Sequence, residues 1–180
     1  MQVKVSYMRI QIFYIKDCLF NLELSFKIKN LAKVNWVPKK NLHITLKFLG
    51  DVSSDTVERI KHNLSKVSYK KFKIKLNGFG FYPNNMRINV IWVGVEPYNK
   101  IVELQKLVDS ETLEVGNVKL GAHITLGRVK AIKNKDLFLD FVKNVKLEPL
   151  EFQVNSFILY KSVLSKDSPS YEVLKRYSLV

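Results

Sequence analysis

From Met1 to Tyr7 apolar and polar residues alternate with a period of two, a strand pattern without the apolar block of a signal peptide, and the segment Val3 to Tyr14 reads as a strand. Asp17 suits the N-cap of a helix running to about Lys33, with Cys18, Phe20, Leu22 and Leu24 as its apolar face. Val34 to Val37 is strand-like and ends at Pro38. Leu42 to Leu49 predicts a short strand closed by Gly50-Asp51. Ser53-Ser54-Asp55 opens a helix with Val57, Ile60 and Leu64 at helical spacing, and Asp55 with Glu58 fits a capping box. Phe72 to Tyr82 and Ile88 to Val95 read as a hairpin around Pro83-Asn84-Asn85. Pro97 suits the first turn of a helix carrying Ile101, Leu104, Leu107 and Val108, and Val115-Gly116-Asn117 marks a loop. There follow a strand over Lys119 to Val129, a short helix over Asp136 to Val145 and one long strand from Phe152 to Leu164. Lys166 to Ser170 is a turn, and Tyr171 to Leu179 a closing strand.

The order strand, helix, strand, helix, strand, strand recurs loosely on each side of residue 96. Each half carries one His-Ile-Thr-Leu strand, His43 to Leu46 and His123 to Leu126, 80 residues apart. The expectation is a single α+β domain of two similar lobes, about 1–95 and 96–180, facing each other across a cleft. Hairpins outnumber long crossovers, so the sheets should be mostly antiparallel with helices outside.

A chain of 180 residues builds its own core, and 47% hydrophobic with 26% charged residues is an ordinary globular balance. The single cysteine, Cys18, reads as core filling, which suits a reducing cytoplasm and excludes a disulfide framework. No stretch approaches the ~20 apolar residues that span a bilayer. Thirty Lys and Arg against 16 Asp and Glu give +14. That excess points to an anionic partner, against the plainer reading of a lysine-rich solvated surface.

Within a strand His43 and Thr45 project from one face while Ile44 and Leu46 anchor the other, and the same holds for His123 and Thr125. If the two strands face each other, two imidazoles and two hydroxyls converge. One imidazole then serves as general base and the other as general acid, while the threonines donate to the non-bridging oxygens of a phosphate. A single His-x-Thr is usually structural. Two of them account for two of only three histidines in the chain, which chance or a duplicated core strand explains poorly. The third, His62, lies among Lys61, Asn63 and Lys66 and reads as solvated helix surface. No metal site is expected, because the histidines are dispersed and one cysteine is no ligand set, and there is no glycine-rich phosphate loop.

The run Trp36-Val37-Pro38-Lys39-Lys40-Asn41-Leu42-His43-Ile44-Thr45-Leu46-Lys47-Phe48-Leu49-Gly50, with Gly121-Ala122-His123-Ile124-Thr125-Leu126-Gly127-Arg128, resembles the 2H phosphoesterases. Within them it resembles the LigT-like RNA 2′,3′-cyclic phosphodiesterases, first described as 2′-5′ RNA ligases. The resemblance extends through Gly80-Phe81-Tyr82-Pro83, Val90 to Val95, Leu159 to Ser162 and Tyr171 to Leu174, and so covers nearly the whole chain. It places the family's first strand at Met8-Arg9-Ile10, leaving residues 1–7 as an N-terminal extension or alternative start. Arg87 is shifted from the family's Pro-Arg position and receives no firm role.

The resemblance implies a bilobal fold with a basic cleft and hydrolysis of an RNA 2′,3′-cyclic phosphate to a 2′-phosphate, with reversible 2′-5′ joining as a side activity. By position it favours His123 as the base that activates water and His43 as the acid that protonates the departing 3′ oxygen, with the reverse order as the alternative. Thr45 and Thr125 would hold phosphate oxygens. Arg128 is a weaker candidate, because alternation counted from His123 sets it off that face unless the strand bends at Gly127. No cofactor is expected. The expected partners are RNA ends bearing cyclic phosphate, tRNA fragments among them, with no membrane partner and a monomeric chain in the cytoplasm. A binding module for RNA ends, or a phosphodiesterase for ADP-ribose 1″,2″-cyclic phosphate or 2′-5′ oligoadenylate, fits the same fold. Phe48, Phe81 and Tyr82 are candidates to stack a base or to pack the core.

Overall fold

The computed structural model describes residues 4–13, 27–112, 115–116, 121–145, 150–163 and 170–180. Among these residues nine strands alternate with three α-helices: β1 Lys4–Phe13, β2 Ala32–Trp36, β3 His43–Ser53, α1 Ser54–Leu64, β4 Phe72–Pro83, β5 Ile88–Glu96, α2 Tyr98–Ser110, β6 His123–Ile132, α3 Lys135–Asn144, β7 Glu151–Val154, β8 Ser156–Val163 and β9 Ser170–Ser178. They form one antiparallel sheet ordered β7-β4-β5-β6-β3-β1-β8-β9, with β2 also on β6. This is the α+β, antiparallel class that the pattern predicts. The two expected sheets are continuous, joined by a single recorded pair between β3 and β6, Ile44 opposite Ile124.

Asn155 alone separates β7 from β8, so their ends lie within about 7 Å. Yet the two strands are six steps apart in the sheet, roughly 29 Å if it were flat at about 4.8 Å per strand. The sheet therefore curls until its two halves stand beside each other. The single long strand expected over Phe152 to Leu164 is two: β7 pairs with β4, while β8 pairs with β1 and β9. Both pieces are apolar-rich, and one polar residue between them is too small a signal to mark a crossing.

The same connectivity corrects the expected lobes. β4 and β5, from the first half of the chain, sit with β6 and β7, whereas β8 and β9 complete the half built on β1 and β3. The boundary near residue 96 is thus a turn into α2 and does not divide the sheet.

Local differences have local causes. Gly50 does not close its strand: at φ +71° it forms an irregularity opposite Met8, and β3 runs on to Ser53. Ser53, not Asp55, caps α1, its hydroxyl accepting from the Thr56 N–H at 3.3 Å. Leu107 is 38% exposed, and the buried α2 positions are Ile101, Leu104, Gln105 and Val108. The expected helix to Lys33 ends earlier, in a turn through Leu31 before β2; its Asp17 cap and Cys18 face lie outside the described residues. So does most of the Lys166 to Ser170 turn, as do residues 117–120 ahead of β6. Residues 4–7 belong to β1, with Lys4 opposite Ser53 and Val5 opposite Val52. No helix among the described residues is long and apolar enough to cross a membrane.

Candidate active site

His43 and His123 open β3 and β6, the two strands on which the halves of the sheet meet. Ile44 and Ile124, the pair that joins them, are 2% and 1% exposed. Alternation then puts His43, Thr45, His123 and Thr125 together on the opposite face. Antiparallel counting about that pair sets His43 across from Thr125 and Thr45 across from His123. The imidazoles occupy diagonal corners of the resulting quadrilateral, and the hydroxyls the other two.

Each motif strand carries a bulge at its leucine. On β3, Gln11 pairs with Thr45 but Ile10 with Lys47, leaving Leu46 as the extra residue. On β6, Trp92 pairs with Thr125 but Ile91 with Gly127, leaving Leu126. Parity is inverted beyond both bulges. Lys47 turns into the core at 1% exposure, where its ammonium donates to Asp109 Oδ1 and the Thr112 carbonyl, each at 2.7 Å. Phe48 and Arg128 turn onto the imidazole face instead. The expectation that alternation carries Arg128 away from His123 is therefore corrected, and the bend lies at Leu126, one residue before the glycine. Arg128 is exposed and stands between Val90 and Asn35.

One buried amide ties the two motifs together. Gln105, 0% exposed on α2, donates to the carbonyls of Thr45 at 3.0 Å and Gly121 at 2.9 Å, and its Oε1 accepts from the Gly121 N–H at 3.1 Å. It thereby bridges β3 to the residues leading into His123, next to the single ladder pair. Helical spacing marks 105 as an inward position beside Leu104 and Val108, but a polar residue there reads as surface from sequence.

The two imidazoles differ in environment. The Nδ1–H of His43 donates to the Asn41 carbonyl at 2.7 Å, which leaves Nε2 with the lone pair. Burial lowers its pKa to about 4; the bond to Asn41 opposes this, while the positive charges of Arg9 and His123 add to it. Its ring meets Tyr171 edge-on at 6.1 Å. His123 is more exposed, lies 5.7 Å from the Trp92 ring, and has its pKa lowered by desolvation.

Arg9, Gln11, Trp92 and Tyr171 share this face by register, and motif reading missed all four. A signal was present: Arg9 and Gln11 interrupt Met8, Ile10 and Ile12 at a period of two, on a strand whose other face is core. Among the stacking candidates, Phe48 is 40% exposed on the cleft face, Tyr82 is 60% exposed at the hairpin end, and Phe81 packs on Phe138 at 5.7 Å. His62 is exposed on α1, as expected. Arg87 is exposed, and its backbone N–H donates to Asn84 Oδ1 in the hairpin turn. A cavity of about 420 Å³ borders His43, with Ile12, Ile44, Ile124, Asn155 and Arg176 among its walls. Its isoleucines point away from the motif face, and neither threonine nor His123 lines it, so it lies behind the four polar groups.

Comparison with known proteins identifies the family and the fold. Residues 22–92 match the family model described as LigT like Phosphoesterase. The chain is 38% identical over 167 residues to a Methanocaldococcus jannaschii protein named RNA 2′,3′-cyclic phosphodiesterase, covering 91% of this chain and 93% of the relative. An Archaeoglobus fulgidus protein of the same name is 34% identical over 83% of this chain and 86% of its own. In fold it resembles Escherichia coli LigT without ligand, with a TM-score of 0.76 at 22% identity over 98% of this chain and 99% of the other. The chain belongs to the family of LigT-like phosphoesterases, the 2H phosphoesterases.

Proposed function

We propose that this chain hydrolyses the 2′,3′-cyclic phosphate at an RNA end to a 2′-phosphate, with His43 and His123 as its acid–base pair. The observation that carries the reading is the diagonal placement of the two imidazoles across the Ile44–Ile124 pair. Displacement at phosphorus runs in line, so the entering water and the departing 3′ oxygen lie on opposite sides of the phosphate. A base and an acid at opposite corners meet that requirement. The hydroxyls of Thr45 and Thr125, at the remaining corners, donate to the non-bridging oxygens where negative charge grows. The relatives named RNA 2′,3′-cyclic phosphodiesterase support the substrate.

In this proposal His123 takes the proton from water and His43 protonates the 3′ oxygen. His43 is neutral in the empty cleft, so the bound phosphate must bring it to the imidazolium form by offsetting burial and the charge of Arg9. With a 5′ hydroxyl in place of water, the same two groups join ends through a 2′-5′ linkage. The proposal extends to a monomeric protein working in the cytoplasm, with tRNA fragments among its targets.

The test is product analysis on a short RNA ending in 2′,3′-cyclic phosphate, with chelator present. A 2′-phosphate end is expected; a 3′-phosphate end or no conversion overturns the reading. Sulfur at the 3′ bridging position, a leaving group that needs no acid, fixes the order of roles. It is expected to rescue His43→Ala and not His123→Ala, and the opposite pattern would reverse them.

A further inference from the structure

On the β3 side of the cleft, β1 and β8 carry polar groups that the proposed reaction does not use. Arg9 lies opposite Phe48 on β3 and Tyr160 on β8. Its guanidinium carbon sits 4.7 Å from the Tyr171 ring centroid and 5.6 Å from that of Phe48. Arg9 Nε is buried without a hydrogen-bond partner, and no carboxylate among the described residues pairs with the group. Gln11, two positions along and opposite Thr45, is 0% exposed with neither amide atom satisfied. Ser162, two positions beyond Tyr160 on β8, is 1% exposed and its hydroxyl also lacks a partner. All three stand on the face that bears His43 and Thr45.

Buried polar groups are normally satisfied, and unsatisfied groups on a guanidinium and on either side of it along one face call for a ligand. The aromatic faces are already occupied by Arg9, so a nucleobase has no free ring to stack on between them. What the ring contacts leave unpaired is the planar edge of a guanidinium, the geometry that grips an anion through two parallel N–H bonds. The other half has its own guanidinium, Arg128, five residues after His123, where the corresponding position after His43 is Phe48. Arg9 restores a cation on this side from the neighbouring strand.

We propose that Arg9, flanked along the strands by Gln11 on one side and Ser162 on the other, forms a second phosphate subsite that takes the internucleotide phosphodiester on the 5′ side of the reacting end. This deepens the RNA-end reading and rests on it. The enzyme is then built for a dinucleotide or longer RNA in preference to a cyclic mononucleotide.

Two unreactive product-like probes test the subsite without turnover: a nucleoside 2′-monophosphate and a dinucleotide carrying the same 2′-phosphate end. Their binding to the wild type and to Arg9→Gln and Arg9→Lys is measured by calorimetry across a range of salt. The wild type is expected to favour the dinucleotide by at least tenfold, and Arg9→Gln to collapse that ratio toward one. Arg9→Lys, which keeps the charge and loses the fork, should fall between. The salt dependence of dinucleotide binding should lose about 0.7 in log–log slope, one single-strand phosphate contact. Equal weakening of both probes, or no change in either, overturns the subsite. Turnover of a cyclic-phosphate RNA is read separately: a wild type that binds through Arg9 yet converts nothing overturns the activity and leaves the subsite standing.

Discussion

The strands of His43 and His123 share four residues, a leucine bulge and one face, yet they give their histidines different lives. β3 is enclosed: β1 runs along its full length, Gln105 holds its Thr45 carbonyl, and Tyr171, with Arg9 over its ring, stands edge-on to His43. β6 lies between β5 on one side and β2 and β3 on the other, and His123 remains exposed beside Trp92. One imidazole is held neutral by burial and a nearby cation, while the other lies closer to solvent. Identical local sequence sets where a side chain points, and its neighbours set what charge it carries. That inequality opposes the roles proposed for the pair in the empty cleft, so the negative charge of the bound phosphate has to return the proton to His43 before it can act as acid.

The comparison breaks most sharply at the histidines. His43→Ala and His123→Ala should each lower turnover by roughly 10²–10⁴-fold. Single-turnover rates check this, and a variant retaining a tenth of wild-type activity would remove that strand from the mechanism. Gln105→Leu comes next. It strands the Thr45 carbonyl and both backbone groups of Gly121, and should cost about 3 kcal/mol by urea denaturation with a loss of turnover at little change in KM. Unchanged stability would mean that the two strands hold their spacing without the amide.

Thr45→Val and Thr125→Val keep the shape and remove one donor each, for about a 10²-fold loss in kcat. Unequal losses would show which side bears more of the developing charge. A smaller effect separates the two imidazoles by pH. Between pH 6.5 and about 4 the unfolded His43 binds a proton that the folded one refuses, so stability should fall as pH drops through that window, by about 3 kcal/mol. Above pH 6.5 this contribution is constant. Denaturation at pH 7, 5.5 and 4.5 reads it, and His43→Gln should flatten the slope. His62→Ala, on the exposed face of α1, should change stability by less than about 0.5 kcal/mol and leave activity alone.

Alternation and motif identity carried the reading to the antiparallel class, to the four polar groups and to their common face, because period-two patterns are local. The features it missed depend on partners far along the chain. The bulges at Leu46 and Leu126 exist only relative to β1 and β5, so neither the inward turn of Lys47 nor the cleft position of Arg128 can be counted from one strand. Asn155 marks a crossing between sheet halves that only the pairing of β7 and β8 discloses. Gln105 and Arg9 look like surface residues until the elements that bury them are in place.

The pH dependence of kcat/KM on a cyclic-phosphate RNA end, with chelator present, tests the unequal pair most directly. The wild type should trace a bell whose apparent pKa values both lie below 6.5, since both imidazoles are lowered in the free enzyme. A rate that climbs steadily from pH 5 to 9 would contradict catalysis by two histidines sharing one proton.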